Sequence, residues 1–298
     1  MKRTSLRYWL NLLDAALVAL LAFGLGGLLW FAHWKAMDYM HPRRMEPPSG
    51  DLLRESGIEY QEIELQTSDG VRLAAWYTPS QNGALILVAH GYGIRRPEEF
   101  YKIFAEHGYG VLAWDFRGHG ASGGELVTLG YNEVLDVEAA LEFSLAQPGV
   151  EHIGGWGGSM GAVTMIRATA RNPKIEALVA DSPFVTLEDE LKLRVPYPLL
   201  ERLIRFFAER ESGLRLHMVR PVDDIGQISP RPVFIIQGMD DAMIPLDSAE
   251  RLYAAAGEPR ELWTEPGVFH IGMYSQFPER YTKRVIEFFD THLLFVLK

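Results

Sequence analysis

The sequence predicts an α/β fold, a mostly parallel sheet of eight strands with helices on both faces, preceded by a membrane anchor. Two observations carry this. Short apolar runs alternate with segments of helical period through most of the 298 residues, as strands joined by crossover helices do. The central runs are apolar without interruption, as strands buried on both faces are. Apolar types make up 48% and charged types 23%, which excludes a disordered or collagen-like chain. With 39 acidic and 29 basic residues the net charge is -10. Nucleic-acid binding needs clustered positive charge, and no nucleic-acid partner is expected. The absence of cysteine removes disulfides, zinc ribbons, iron–sulfur clusters and thiol nucleophiles.

Residues 1–9 form a short basic segment with Lys2, Arg3 and Arg7, and residues 10–34 read as a transmembrane anchor. Ala15 to Phe31 carries no charged or strongly polar side chain, and the run reaches back to Leu10 with only Asn11 and Asp14 interrupting it. Roughly 20 such residues span a hydrocarbon core. Tyr8 and Trp9 flank one end, Trp30 and Trp34 the other, where interfacial aromatic belts lie. A cleaved signal peptide would need small residues where Trp30 to Lys35 stands. A buried soluble helix would show a polar stripe. Basic residues balance across the segment. Asp38 and Glu46 on the far side favour an N-terminus inside and an extracytoplasmic domain. Residues 35–58 are expected as a linker, with Arg43 to Gly50 rich in proline and polar residues. The domain fills 59–298.

Within it, Tyr60 to Gln66 and Val71 to Tyr77 read as an antiparallel hairpin around the turn Ser68-Asp69-Gly70. Leu85 to Ala89, Gly110 to Trp114, His152 to Trp156, Ile175 to Ala180, Val233 to Gln237 and Glu261 to Thr264 complete eight strands. Val134, Val137, Leu141 and Leu145 share a helix face, as do Val285, Phe289 and Leu293. Residues 184–229 break the alternation. They read as a helical insertion, with Pro198 opening a helix that carries Leu200, Leu203, Ile204 and Phe207. It is either a lid and pocket wall or a segment that simply packs on the domain.

Gly157-Gly158-Ser159-Met160-Gly161 follows a predicted strand and precedes a helix. Gly-x-Ser-x-Gly in that setting is a nucleophile elbow. The turn is tight and its neighbours must be small. The helix N-terminus that follows favours developing negative charge. A serine hydroxyl needs a base to take its proton. Of nine histidines, His90 and His119 sit in glycine-flanked turns and read as structural. His270 lies between the last strand and the last helix, at the same sheet end as Ser159, and is the candidate base. Its imidazole needs a carboxylate to hold its tautomer, and Asp240 and Asp241 both follow a strand. The backbone N–H groups of Tyr92, in His90-Gly91-Tyr92-Gly93, and of Met160 are the candidate oxyanion donors.

With these residues in place, the chain from about Tyr60 onward resembles the α/β-hydrolase superfamily, and within it the membrane-anchored, serine aminopeptidase-like group. The match includes His90-Gly91-x-Gly93, Asp115 to Ser122, the Ser159 elbow, the Asp241 loop and His270. The family's acid loop typically reads Gly-x-x-Asp-x-x-hydrophobic-Pro. Gly238, Asp241, Ile244 and Pro245 fit it, so the resemblance implies Asp241 as the acid and not Asp240. It also implies structural roles for Asp115 and Arg117.

The expected function is a membrane-anchored serine hydrolase of a carboxylic ester, thioester or amide, acting through Ser159, His270 and Asp241 without metal or cofactor. Its partner is a small-molecule or lipid-like acyl substrate, and the oligomeric state is open. Two alternatives stand beside it. An aminopeptidase-like serine peptidase would need a carboxylate for a free amine, and Glu188, Asp189 and Glu190 are candidates. A non-catalytic tethered scaffold is the other.

Overall fold

The computed structural model describes residues 2–295. Met1 and residues 296–298, the ends of the expected basic segment and domain, lie outside the described residues. So do the side chains of Lys2 and Arg3, two of the basic residues that precede the apolar run. A helix α1 (Lys2–Met40) precedes a short α2 (Asp51–Glu55). The domain then runs β1 (Gln61–Gln66), β2 (Arg72–Thr78), β3 (Ala84–Ala89), α3 (Glu98–Glu106), β4 (Gly110–Trp114), α4 (Val134–Leu145), β5 (His152–Gly158), α5 (Met160–Arg171) and β6 (Ala177–Asp181). The insertion carries α6 (Leu187–Arg194), α7 (Pro198–Ser212) and α8 (Pro221–Asp224). After it come β7 (Val233–Gly238), α9 (Leu246–Ala255), β8 (Arg260–Glu265), α10 (Met273–Gln276) and α11 (Pro278–Phe289).

The eight strands form one sheet in the order β1-β2-β4-β3-β5-β6-β7-β8. β1 and β2 pair antiparallel, as do β2 and β4, and every other pair is parallel. Strand periodicity divides the core. Leu85, Leu87 and Ala89 enter one face with α4, α5 and α9; Ile86 and Val88 enter the other with α3 and α11. β3 is buried along its whole length. Each buried Leu, Ile or Val there contributes about 1.5–3 kcal/mol relative to exposure, so the central strands anchor the fold. Because β3, β5, β6, β7 and β8 are parallel, their carboxyl ends share one sheet edge, where ligand crevices of open α/β sheets form.

α1 is one unbroken helix of two characters. From Arg7 to Gly27 every residue is exposed, whereas Ala32, Ala36 and Met40, four apart, are buried. The exposed part is long and apolar enough to cross a membrane, with a mean hydropathy of 2.2 in its most apolar window. The buried stripe packs with Leu187, Leu191, Ile204 and Ala208 of the insertion.

The expected linker at residues 35–58 is built into the domain instead. The helix continues to Met40, Leu53 of α2 is fully buried, and the Arg44 guanidinium donates to the carbonyls of Gly120, Ser122 and Gly124. Proline and polar composition marks an irregular chain; it does not say whether that chain is fastened. In the insertion, Thr186 Oγ1 accepts the Asp189 N–H at 3.0 Å to cap α6. Pro198 occupies the first turn of α7 and Gly213 ends it in the left-handed region.

Candidate active site

Ser159 stands between β5 and α5 with φ 52° and ψ -117°, a conformation strained for any L-residue. Its N–H donates to the Asp181 carbonyl of β6 at 2.8 Å, and its carbonyl accepts the Val163 N–H at 3.1 Å. The turn closes because its neighbours lack Cβ atoms. A Cβ on Gly161 would lie 2.2 Å from the Ala89 carbonyl oxygen, and one on Gly157 would lie 2.5 Å from the Gly161 backbone. The two glycines of the motif therefore bring α5 against the end of β3.

At the end of β7, Asp241 is buried and its carboxylate is fully partnered. Oδ1 accepts the N–H groups of Met243 and Ile244, each at 2.8 Å. Oδ2 accepts Gln237 Nε2 at 3.0 Å and bonds His270 Nδ1 at 2.6 Å. Burial works against its charge, but the His270 bond and the two N–H donors outweigh it and hold the carboxyl below its usual range. Asp240 points elsewhere: its Oδ2 accepts the Gly267 N–H at the start of the His270 loop. The two loops press together at Gly238, where a Cβ would meet the Val268 carbonyl oxygen at 2.3 Å.

Ser159, Met160, Tyr92 and His270 all line one cavity of about 300 Å³, mostly apolar. Among the described residues no hydrogen bond joins Ser159 Oγ to His270. Such links are often loose before substrate arrives. Neither the Tyr92 nor the Met160 N–H has an acceptor among the described residues, while the next N–H along, that of Gly93, is taken by His119 Nε2 at 2.9 Å. A Cβ on Gly91 would lie 3.4 Å from Ser159 Cβ, so this loop lies against the serine. His90 is structural as expected: its Nε2 accepts the Phe116 N–H at 2.9 Å, and burial pushes its pKa down to about 3. Asp115 accepts the N–H groups of Arg96 and Ala121, each at 3.0 Å, and Arg117 bridges Asp69 and Asp136.

The insertion walls the cavity through Phe184, Leu187, Leu191, Ile204 and Leu216. Of the three acidic candidates at its start, only Glu190 reaches the cavity, and Arg194 Nε donates to it at 2.5 Å. Glu188 pairs with Arg205 and Asp189 with Arg251. No cluster among the described residues can hold a metal ion.

Sequence reading missed a buried network beneath the site. Trp156 Nε1 donates to the Tyr281 hydroxyl at 2.9 Å, which donates to Asp181 Oδ2 at 3.0 Å. Ser182 Oγ donates to Asp181 Oδ1 at 2.9 Å and accepts the Ile271 N–H at 3.2 Å, beside His270. An aspartate closing an apolar strand was the available signal. Burial raises the Asp181 pKa from 3.8 to about 6, the hydrogen bonds opposing it. A raised carboxyl pKa means that the folded state holds its proton more tightly. That stabilisation is complete below about pH 4 and lost as pH rises through 6. Asp181→Asn, neutral throughout, is expected to gain stability relative to the wild type between pH 5 and 7.5. Thermal midpoints at the two pH values check this, and a pH-independent difference contradicts it.

A family model described as serine aminopeptidase, S33 matches residues 80–225. The chain is similar to an uncharacterized protein of Mycobacterium tuberculosis, 30% identical over 263 residues and 86% of each chain. It is also similar to the α/β-hydrolase domain-containing protein WAV2 of Arabidopsis thaliana, 28% identical over 78% of this chain and 79% of that one. Among solved structures, the esterase Pf2001 of Pyrococcus furiosus superposes with a TM-score of 0.71. That match has 26% identity and covers 85% of this chain and 99% of that chain.

Proposed function

The chain belongs to the α/β-hydrolase superfamily and is a hydrolase, and on that premise we propose that it is a membrane-anchored serine esterase working through Ser159, His270 and Asp241. The observation that carries this reading is the 2.6 Å bond from His270 to a fully partnered Asp241, at a cavity that also holds the strained Ser159. Ser159 Oγ attacks the acyl carbonyl and its proton passes to His270 Nε2. The oxyanion is held by the Tyr92 and Met160 N–H groups. Collapse of the tetrahedral adduct expels the alcohol, which takes the proton from His270. Water then attacks the acyl-enzyme, gives a proton to His270, and releases the carboxylic acid as Ser159 regains its own proton. Asp241 fixes the imidazole tautomer and stabilises its cation. Thioesters and amides are open to the same steps with a different leaving group.

One observation favours the peptidase reading, the position of Glu190 on the cavity wall. Its carboxylate is already paired with Arg194, however, and a substrate ammonium would have to displace that partner. The ester reading is preferred. The purified full-length protein is expected to react with a fluorophosphonate probe and to hydrolyse p-nitrophenyl esters far faster than aminoacyl anilides. The reverse preference supports the peptidase, and no reaction with either substrate or probe supports a non-catalytic scaffold. The domain is proposed to lie outside the cytoplasm, so added protease should cut it in intact cells; protection reverses the orientation.

A further inference from the structure

Resting on the esterase reading above, we propose that the last two turns of α1 are part of the substrate site. The substrate is then an ester of one long acyl chain, drawn from the bilayer that the same helix occupies.

The exposed stretch of α1, Arg7 to Gly27, is 21 residues, a rise of about 32 Å, which matches a hydrocarbon core of about 30 Å. The helix does not stop there. Ala36, Tyr39 and Met40 line the same cavity as Ser159 and His270. Ala36 lies nine residues past Gly27, a rise of about 14 Å. The catalytic cavity thus sits just beyond the end of the membrane-length stretch, with the helix itself as one wall.

The helix end is fastened to the catalytic loop, not merely near it. The final carbonyls of a helix have no partner inside it. Here the Tyr39 carbonyl accepts the Tyr92 hydroxyl at 2.9 Å, and the Met40 carbonyl accepts the Val127 N–H at 2.8 Å. Tyr92 also carries one of the two proposed oxyanion donors. Its side chain therefore ties the donor loop to the membrane helix.

The surroundings fit a lipid supply. α7 packs on α1, with the Phe207 ring 5.2 Å from that of His33. Trp30 and Trp34 on α1 and Tyr197, Leu199 and Phe206 at α7 are exposed. Water is an unfavourable neighbour for such side chains, and an interface is a favourable one. A cavity of about 300 Å³ lies at the small end for ligand pockets and suits one chain, not two.

The test uses the full-length protein in phosphatidylcholine vesicles with p-nitrophenyl esters from butanoate to dodecanoate. The kcat/KM, referred to the free aqueous ester concentration, is expected to rise by about fourfold per added methylene until the cavity is full. Ala36→Trp, which fills the cavity from the helix side, is expected to lower the dodecanoate-to-butanoate ratio at least tenfold. Adding phospholipid at constant total substrate is expected to slow dodecanoate hydrolysis through dilution in the membrane. If Ala36→Trp fails to fold, as judged by loss of fluorophosphonate labelling, Ala36→Leu carries the same ratio test. A flat chain-length series, or an unchanged ratio in a variant that labels normally, overturns the proposal and leaves the esterase reading standing. A wild-type protein that labels with no fluorophosphonate overturns both.

Discussion

Ser159→Ala is expected to abolish fluorophosphonate labelling and to lower kcat for p-nitrophenyl butanoate by about 10⁵–10⁶, the loss seen when a triad serine is removed. Alanine is the informative replacement. It deletes Oγ while keeping the Cβ and hence the strained backbone at φ 52°, so the loops around the elbow stay where they are. Glycine would relieve that strain as well and change two things at once. The proposed donors at Tyr92 and Met160 remain in Ser159→Ala, so a small residual rate over water is expected. Retained labelling, or a loss under tenfold, moves the nucleophile to another residue.

Much of this site was legible because its chemistry forces local sequence. A turn in which α5 lies against β3 tolerates no side chain at Gly157 or Gly161, and that requirement is written in five consecutive residues. The buried strands announce themselves as apolar runs, with boundaries a residue or two off; the run of β5 ends at Trp156, before the glycines, whereas the strand ends at Gly158. Strand order was not readable. Nothing in β4 states that it pairs between β2 and β3, because that follows from packing of the whole sheet. Contacts distant in sequence were also silent. Asp181 meets Tyr281 across 100 positions, and Tyr39 meets Tyr92 across 53. Neither pair has a local signature. The joint of α1 to the domain failed for a related reason. Hydropathy marks where a helix is apolar, and both the exposed stretch of α1 and the docked face of its last turns are apolar. What separates them is the spacing of Ala32, Ala36 and Met40, legible only once α7 is known to lie alongside.

The neighbouring aspartates provide the second decisive contrast. Asp241→Asn is expected to lower kcat by about 10⁴, or about 5.5 kcal/mol of transition-state stabilisation. The asparagine amide has one oxygen and one NH₂. Oδ1 of Asp241 already accepts two backbone N–H groups, so the amide oxygen is drawn to that side. The NH₂ then faces Gln237 Nε2 and His270 Nδ1, both of which now meet a donor. His270 is driven to the tautomer whose Nε2 carries a proton, and it can no longer accept one from Ser159. Asp240→Asn has a different consequence. Its oxygen needs only to accept the Gly267 N–H, which an amide oxygen also does. Its loss is expected to stay within about tenfold, since surface and turn substitutions of this kind cost little. The pair is measured with p-nitrophenyl butanoate, alongside fluorophosphonate labelling rates. Labelling requires the same activated serine and should slow in Asp241→Asn alone. Equal losses in the two variants, or a larger one in Asp240→Asn, remove Asp241 from the triad and leave His270 without the partner on which the proposed proton transfers depend.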